Sequence, residues 1–189
     1  MNENIDPRHF FAYNRDMMKN VKALWALRIL LMGLCAFAVG FILYNSIQPA
    51  VESARQSSTA VEIVQQVVAV IAPESPIVTA TGERYRRLHS VVRTLAHFSE
   101  YALLGALGGW CLRSYTDKKK WLGVPFGALI VLGTVDEWLQ TFAEGRGAQV
   151  VDVLVDVTGG ACGLGFALFS VWLVVKLCVR ARRSRYETG

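Results

Sequence analysis

The sequence predicts an all-α, polytopic membrane protein: a four-helix transmembrane bundle with an amphipathic helix on its outer surface. Composition is the first reason. Of 189 residues, 53% are hydrophobic and 19% charged, which is too apolar for a water-exposed domain of this length and too rich in apolar residues for a disordered chain. Pattern is the second reason. The apolar residues arrive in four blocks, each near or above the roughly 20 residues that a helix rising ~1.5 Å per residue needs to cross a ~30 Å hydrocarbon core. Charge is the third, because the basic residues sort to one side of those blocks.

Taken in order, residues 1–23 read as a basic cytoplasmic leader. The first block, Leu24 to Tyr44, follows that charged leader without a small-x-small cleavage site, so it reads as a retained helix and not a secretory signal. The connection over residues 45–90 is long and is expected to face outward. It opens with Gln48 and Pro49, passes through a Ser-rich stretch, and then holds an apolar run from Val61 to Ala72 that is too short to span a membrane. Within that run Val61, Val64, Val68 and Ile71 repeat at spacings of three and four. Glu62, Gln65 and Gln66 lie between them, which predicts an amphipathic helix lying on the outer surface or folded over the bundle. Pro73 and Pro76 end it.

The remaining blocks run from Val91 to Leu112, Trp121 to Phe142 and Val151 to Leu177. Residues 24–177 form one membrane domain, and 178–189 a basic cytoplasmic tail. Gly105 and Gly109 are four apart in the second block, as are Gly159 and Gly163 in the fourth. This small-xxx-small spacing lets helix backbones approach closely, so the second to fourth blocks are expected to form the core and the first to be peripheral. Cys35, Cys111, Cys162 and Cys178 show no CxxC spacing and read as small apolar side chains.

Of the 20 Lys and Arg residues, 14 fall on one side when the N-terminus is cytoplasmic: in the leader and Arg28, in Arg113 and Lys118 to Lys120, and from Lys176 onward. The other six are Arg55, Arg84, Arg86, Arg87, Arg93 and Arg146. The imbalance follows the positive-inside rule and puts both termini in the cytoplasm. The net charge of +5 is thereby explained by topology and anionic lipid, with no nucleic acid as partner.

Ionisable side chains inside hydrophobic helices are costly, so each demands a partner or a use. In the second block Arg93, His97, Glu100 and Tyr101 recur at spacings that place them on one helical face. The third block ends with Asp136, Glu137 and Gln140; Asp136 and Gln140 share a face, and Glu137 lies about 100° away. Arg146 follows in a short Gly-flanked loop, and Asp152 and Asp156 open the fourth block four residues apart. By helical rise, His97, Asp136 and Asp156 all sit about 7–9 Å from the outer boundary and Glu100 about 14 Å. Polar faces on three helices at similar depth should converge on a shared cleft open to the outside. Five carboxylates there face only Arg93, Arg146 and a protonated His97, so the cleft holds protons, binds a cation or attracts a cationic group of a ligand.

No HExxH or paired-His spacing exists, and no GxSxG elbow or phosphate-binding loop. No metal ligand set and no cofactor are therefore assigned from spacing. Arg146 suits an anion through its guanidinium fork, or a salt bridge to Asp152 or Asp136 that closes its loop.

The segments RxxxHFSEYxxLG at Arg93 to Gly105, DEWLQTFAEGR at Asp136 to Arg146 and DxxxDxxGGxxG from Asp152 to Gly163 together resemble the VanZ-like family across roughly residues 24–177. That resemblance implies a small bacterial membrane protein whose name-giving member is associated with resistance to the glycopeptide teicoplanin. It marks His97, Glu100, Asp136, Glu137, Gln140, Arg146 and Asp152 as signature positions. Asp156 stands where the family pattern usually has Asn, which adds a negative charge. The function expected is recognition or handling of an envelope molecule at the outer leaflet: a lipid head group, a cell-wall precursor or a glycopeptide. The alternatives are a membrane-embedded, metal-dependent hydrolase or transferase acting on a lipid-linked substrate, with His97 and Glu100 or Asp136 as acid and base or as ligands, and a structural partner of another membrane protein.

Overall fold

The computed structural model describes residues 7–187, so the first six residues of the basic leader and the last two of the tail lie outside the described residues. All regular structure among the described residues is helical: α1 (Pro7–Ser46), α2 (Ala50–Ile71), α3 (Gly82–Tyr115), α4 (Gly123–Gln140) and α5 (Val150–Glu187), with a 3₁₀ turn (Lys119–Leu122) leading into α4. Three stretches are long and apolar enough to cross a membrane: Val21–Ser46, Lys119–Gln140 and Val150–Leu177. The exterior agrees. Phe37, Phe41, Val131, Trp138, Phe166, Phe169 and Trp172 all point outward, a far larger apolar surface than a water-soluble monomer tolerates. The chain is a multi-pass membrane protein.

The second block, inside α3, is missing from those three stretches. Its polar run from Arg93 to Tyr101 lowers its hydropathy. The same helix buries Tyr101, Leu104, Gly105, Ala106, Leu107 and Gly109 in its second half. The expected four spans are therefore three by length and apolar composition.

Close packing of α3 on α5 organises the bundle. Gly159 lies against the Phe98 carbonyl, Gly163 against the Ala102 carbonyl, and Gly109 against Leu164 and Ala167, so the two helices run side by side in the same direction. The glycine spacing forecast this contact, and its cause is steric: a Cβ at Gly105 or Gly163 would overlap a backbone carbonyl of the other helix. The first block proves less peripheral than expected. Leu31, Ala38 and Ile42 of α1 are buried with Tyr101, Leu104, Leu107 and Leu129 in one core cluster, because the wide face of α3 that α5 leaves free needs a cover. At the opposite end from the polar residues, Arg28 donates to the Ser114 carbonyl from Nε (3.0 Å) and Nη2 (2.6 Å) and lies over the Tyr115 ring. It satisfies a carbonyl that the last turn of α3 leaves open.

The connection over residues 45–90 is more helical than its composition suggests. α2 starts directly after Pro49 and takes in the whole Ser-rich stretch. Ser57, Ser58 and Thr59 return their hydroxyl protons to carbonyls four residues back, so they do not compete with the helix. Val61 is fully buried, whereas Val70 and Ile71 at the far end are exposed. α2 packs on α3, is joined to the α4–α5 loop by Ala50 N–H to the Glu144 carbonyl (2.9 Å), and is held by Gln65 Nε2 to the Ile77 carbonyl (3.0 Å).

Candidate functional site

The C-terminal end of α1, the N-terminal halves of α3 and α5 and the C-terminal end of α4 meet at one end of the bundle, and α2 lies across it. Between them is a cavity of about 120 Å³. From α3 it is lined by Arg93, His97 and Glu100, from α4 by Asp136, and from the following loop by Arg146. α1 adds Asn45 and Ser46, and the first half of α2 adds Ser53, Gln56 and Ser57. Arg93 and His97 also line a second cavity of about 110 Å³, whose far wall carries Asp152 and Gln149.

The polar residues divide into those that are engaged by the protein and those that are not. Glu137 is engaged: buried, it accepts Gln149 N–H at 2.8 Å through Oε2 and the Gln140 amide at 3.0 Å through Oε1. It thus fixes the residue just before α5, with its carboxyl at that helix's positive end. Gln140 is fully buried and spans from Glu137 to Asp136. Arg146 donates from Nη1 to the carbonyls of Asn45 (3.0 Å) and Ser46 (3.4 Å), where α1 runs out of intrahelical donors. Neither the salt bridge to Asp152 nor that to Asp136 forms among the described residues. Burial pushes the Arg146 guanidinium below its ordinary pKa and the neighbouring Arg93 adds to this, while Asp136, Glu137 and Asp152 oppose it.

Glu100 accepts a hydrogen bond from Asn45 Nδ2 at 3.1 Å. The Ser46 hydroxyl lies between the Ile42 carbonyl (2.7 Å) and the Asp136 carboxylate and can give its single proton to only one of them. Asn45 and Ser46 were invisible to the sequence argument, because nothing at the end of an apolar helix marks them as reaching α3 and α4.

Deepest in the site are His97, Asp136, Asp156 and Tyr101. Asp156 is fully buried, and neither of its oxygens has a hydrogen-bond partner. The same holds for His97 Nδ1 and for the Tyr101 hydroxyl. His97 Nδ1 lies 3.7 Å from Asp156 Oδ1, beyond hydrogen-bond range. One ligand-type atom from each of His97, Asp136 and Asp156 falls within 4.8 Å of the other two. These residues come from three helices, so no spacing motif could have announced the set.

An apolar groove of about 390 Å³ lies beside this cavity, along α1 and α3. Leu34, Phe37, Ala38 and Phe41 line one side, Leu103 and Leu107 the other. The groove and the polar cavity are neighbours, with Ile42 and Glu100 in the walls of both.

Nothing matches among curated proteins or solved structures. The family model described as VanZ/LLP1 matches residues 30–173. That stretch covers well over half of the chain and includes every residue of the polar site just described, so the protein belongs to the VanZ/LLP1 family.

Proposed function

We propose that the chain binds an amphiphilic envelope molecule, a lipid or lipid-linked cell-wall precursor, with its polar group in the cavity and its acyl chain in the α1–α3 groove. The adjacency of polar cavity and apolar groove, which have Ile42 and Glu100 in common walls, carries this reading. An amphiphile has one end that needs hydrogen bonds and another that gains from apolar contact, and few other ligands use both. Arg93 supplies a cation for a phosphate or carboxylate, and among the described residues it has no ion-pair or hydrogen-bond partner. Glu100 supplies an anionic oxygen for an amine.

The test is binding of fluorescent phospholipids, a lipid-linked cell-wall precursor and a lipid-tailed glycopeptide to the purified protein in mild detergent. Arg93→Gln, Glu100→Gln and the groove-filling Leu103→Trp should each weaken the preferred ligand about tenfold, the loss of one charge-assisted hydrogen bond or of groove access. Equal binding by all three variants and wild type would sink the proposal.

The same reading makes α3 a fourth span, with the cavity outward, α2 on the outer surface and both termini in the cytoplasm of a bacterial cell. Its support is the length of α3, 34 residues, its direction shared with α5 and the charge asymmetry of the loops. With Cys35, Cys111, Cys162 and Cys178 replaced by alanine, a cysteine at Ser58 should react with a membrane-impermeant maleimide in intact cells. One at Asp117 should react only after permeabilisation; the reverse pattern would invert the topology.

A further inference from the structure

We propose that His97, Asp136 and Asp156 form a binding site for one divalent cation, best matched by Zn²⁺ or Mn²⁺, at the inner end of the polar cavity. The cluster does not carry this alone. Asp156 is fully buried, and both its carboxylate oxygens lack any partner, as does the His97 Nδ1 that faces them. An uncompensated carboxylate in such a place is costly. The protein nevertheless provides no Lys or Arg within ion-pair distance of it among the described residues.

Geometry and donor type agree with an ion. Two ligand atoms each ~2.1 Å from a metal lie roughly 3–4 Å apart, depending on the angle between them. The 3.7 Å between His97 Nδ1 and Asp156 Oδ1 falls in that range while being too long for a hydrogen bond. The three ligand atoms lie within 4.8 Å of one another, slightly wider than the ~4.2 Å that two ligands of one ion can span, so the side chains draw together when the ion binds. Two carboxylates balance the charge of a divalent ion, and one imidazole with two oxygens suits zinc or manganese better than the all-oxygen preference of magnesium or calcium. His97 and Asp136 also line the cavity, so an open coordination position would face any ligand there. The Tyr101 hydroxyl, buried with no partner of its own, is available to a ligand oxygen or water beside the ion.

This inference does not rest on amphiphile binding, and its test is separate. Full-length protein in mild detergent is stripped with chelator, exchanged into chelator-free buffer and titrated with Zn²⁺ and Mn²⁺ against a competing indicator, with metal content measured by elemental analysis. Wild type should take up about one ion per chain. Asp156→Asn and His97→Gln should each lose affinity by at least about 100-fold, more than a loss of supporting contacts alone produces. Glu62→Gln, on the exposed face of α2, should bind as wild type. The proposal is overturned by wild type that takes up no stoichiometric ion, or by retention of full affinity in both Asp156→Asn and His97→Gln. Should one variant fail to fold, the other and the wild-type stoichiometry decide. Lipid binding measured in chelator then reports on the amphiphile site independently.

Discussion

Gly163→Ala is expected to abolish most folded protein, although it adds one methyl group. The new Cβ would overlap the Ala102 carbonyl and lie 2.9 Å from Ala106 N. Both are backbone atoms in the middle of α3, which cannot rotate away as a side chain can. Relief requires the two helices to separate along a contact that also includes Gly159 against Phe98 and Gly105 against Gly160. In a membrane, helices associate through close van der Waals fit without a hydrophobic drive, so a separated pair has little else to hold it. Overpacking of this kind costs about 3 kcal/mol or more. Gly165→Ala is the matched control: two residues further along α5, its Cβ meets nothing within 4 Å. Thermal unfolding in mild detergent, read by size-exclusion chromatography, should show a large fall for Gly163→Ala and none for Gly165→Ala. Equal melting of the two would mean that α3 and α5 are not in this contact. Separation would also pull His97 on α3 from Asp156 on α5, so ligand and ion binding should fall with stability.

Much of this arrangement was legible because the features that show it are expensive elsewhere. Glycine at four-residue intervals is a poor choice for an isolated helix, and its presence in both α3 and α5 announced their contact. Ionisable residues in apolar helices likewise announced a shared polar site, and His97, Glu100, Asp136 and Arg146 do line one cavity. The sequence did not disclose how the carboxylates divide. Asp136 and Glu137 are adjacent in the chain, yet one faces the cavity and the other holds the start of α5. That difference depends on where Gln149 returns after the loop, a tertiary fact with no local signature. Asn45 and Ser46 were missed for the same reason: their partners Glu100 and Asp136 lie 55 and 90 residues away. The Ser-rich start of α2 was missed because serine and threonine usually favour turns. Here packing on α3 and loop hydrogen bonds override that preference.

The division of the carboxylates predicts opposite consequences for two buried acids. Glu137→Ala should destabilise the protein by about 2 kcal/mol, since it leaves the Gln149 N–H and the Gln140 amide without acceptors in a buried place. Asp156→Asn, measured in chelator, should unfold at the same temperature as wild type or higher. It replaces a buried carboxyl that has no hydrogen-bond partner among the described residues with a neutral amide, and it changes the side chain's size very little. Thermal unfolding of both variants beside wild type checks this. A harmless Glu137→Ala would mean that Glu137 does not fix α5, and a severe loss from Asp156→Asn in chelator would mean that the protein itself engages this carboxylate. The contrast separates two explanations for acidic residues in a membrane bundle. Residues that join helices lower stability when removed, and Glu137 has the partners for that role. A residue retained for a ligand keeps an unpartnered carboxyl in place until the ligand arrives, and Asp156, fully buried opposite an unpartnered imidazole nitrogen, has the geometry of that second kind.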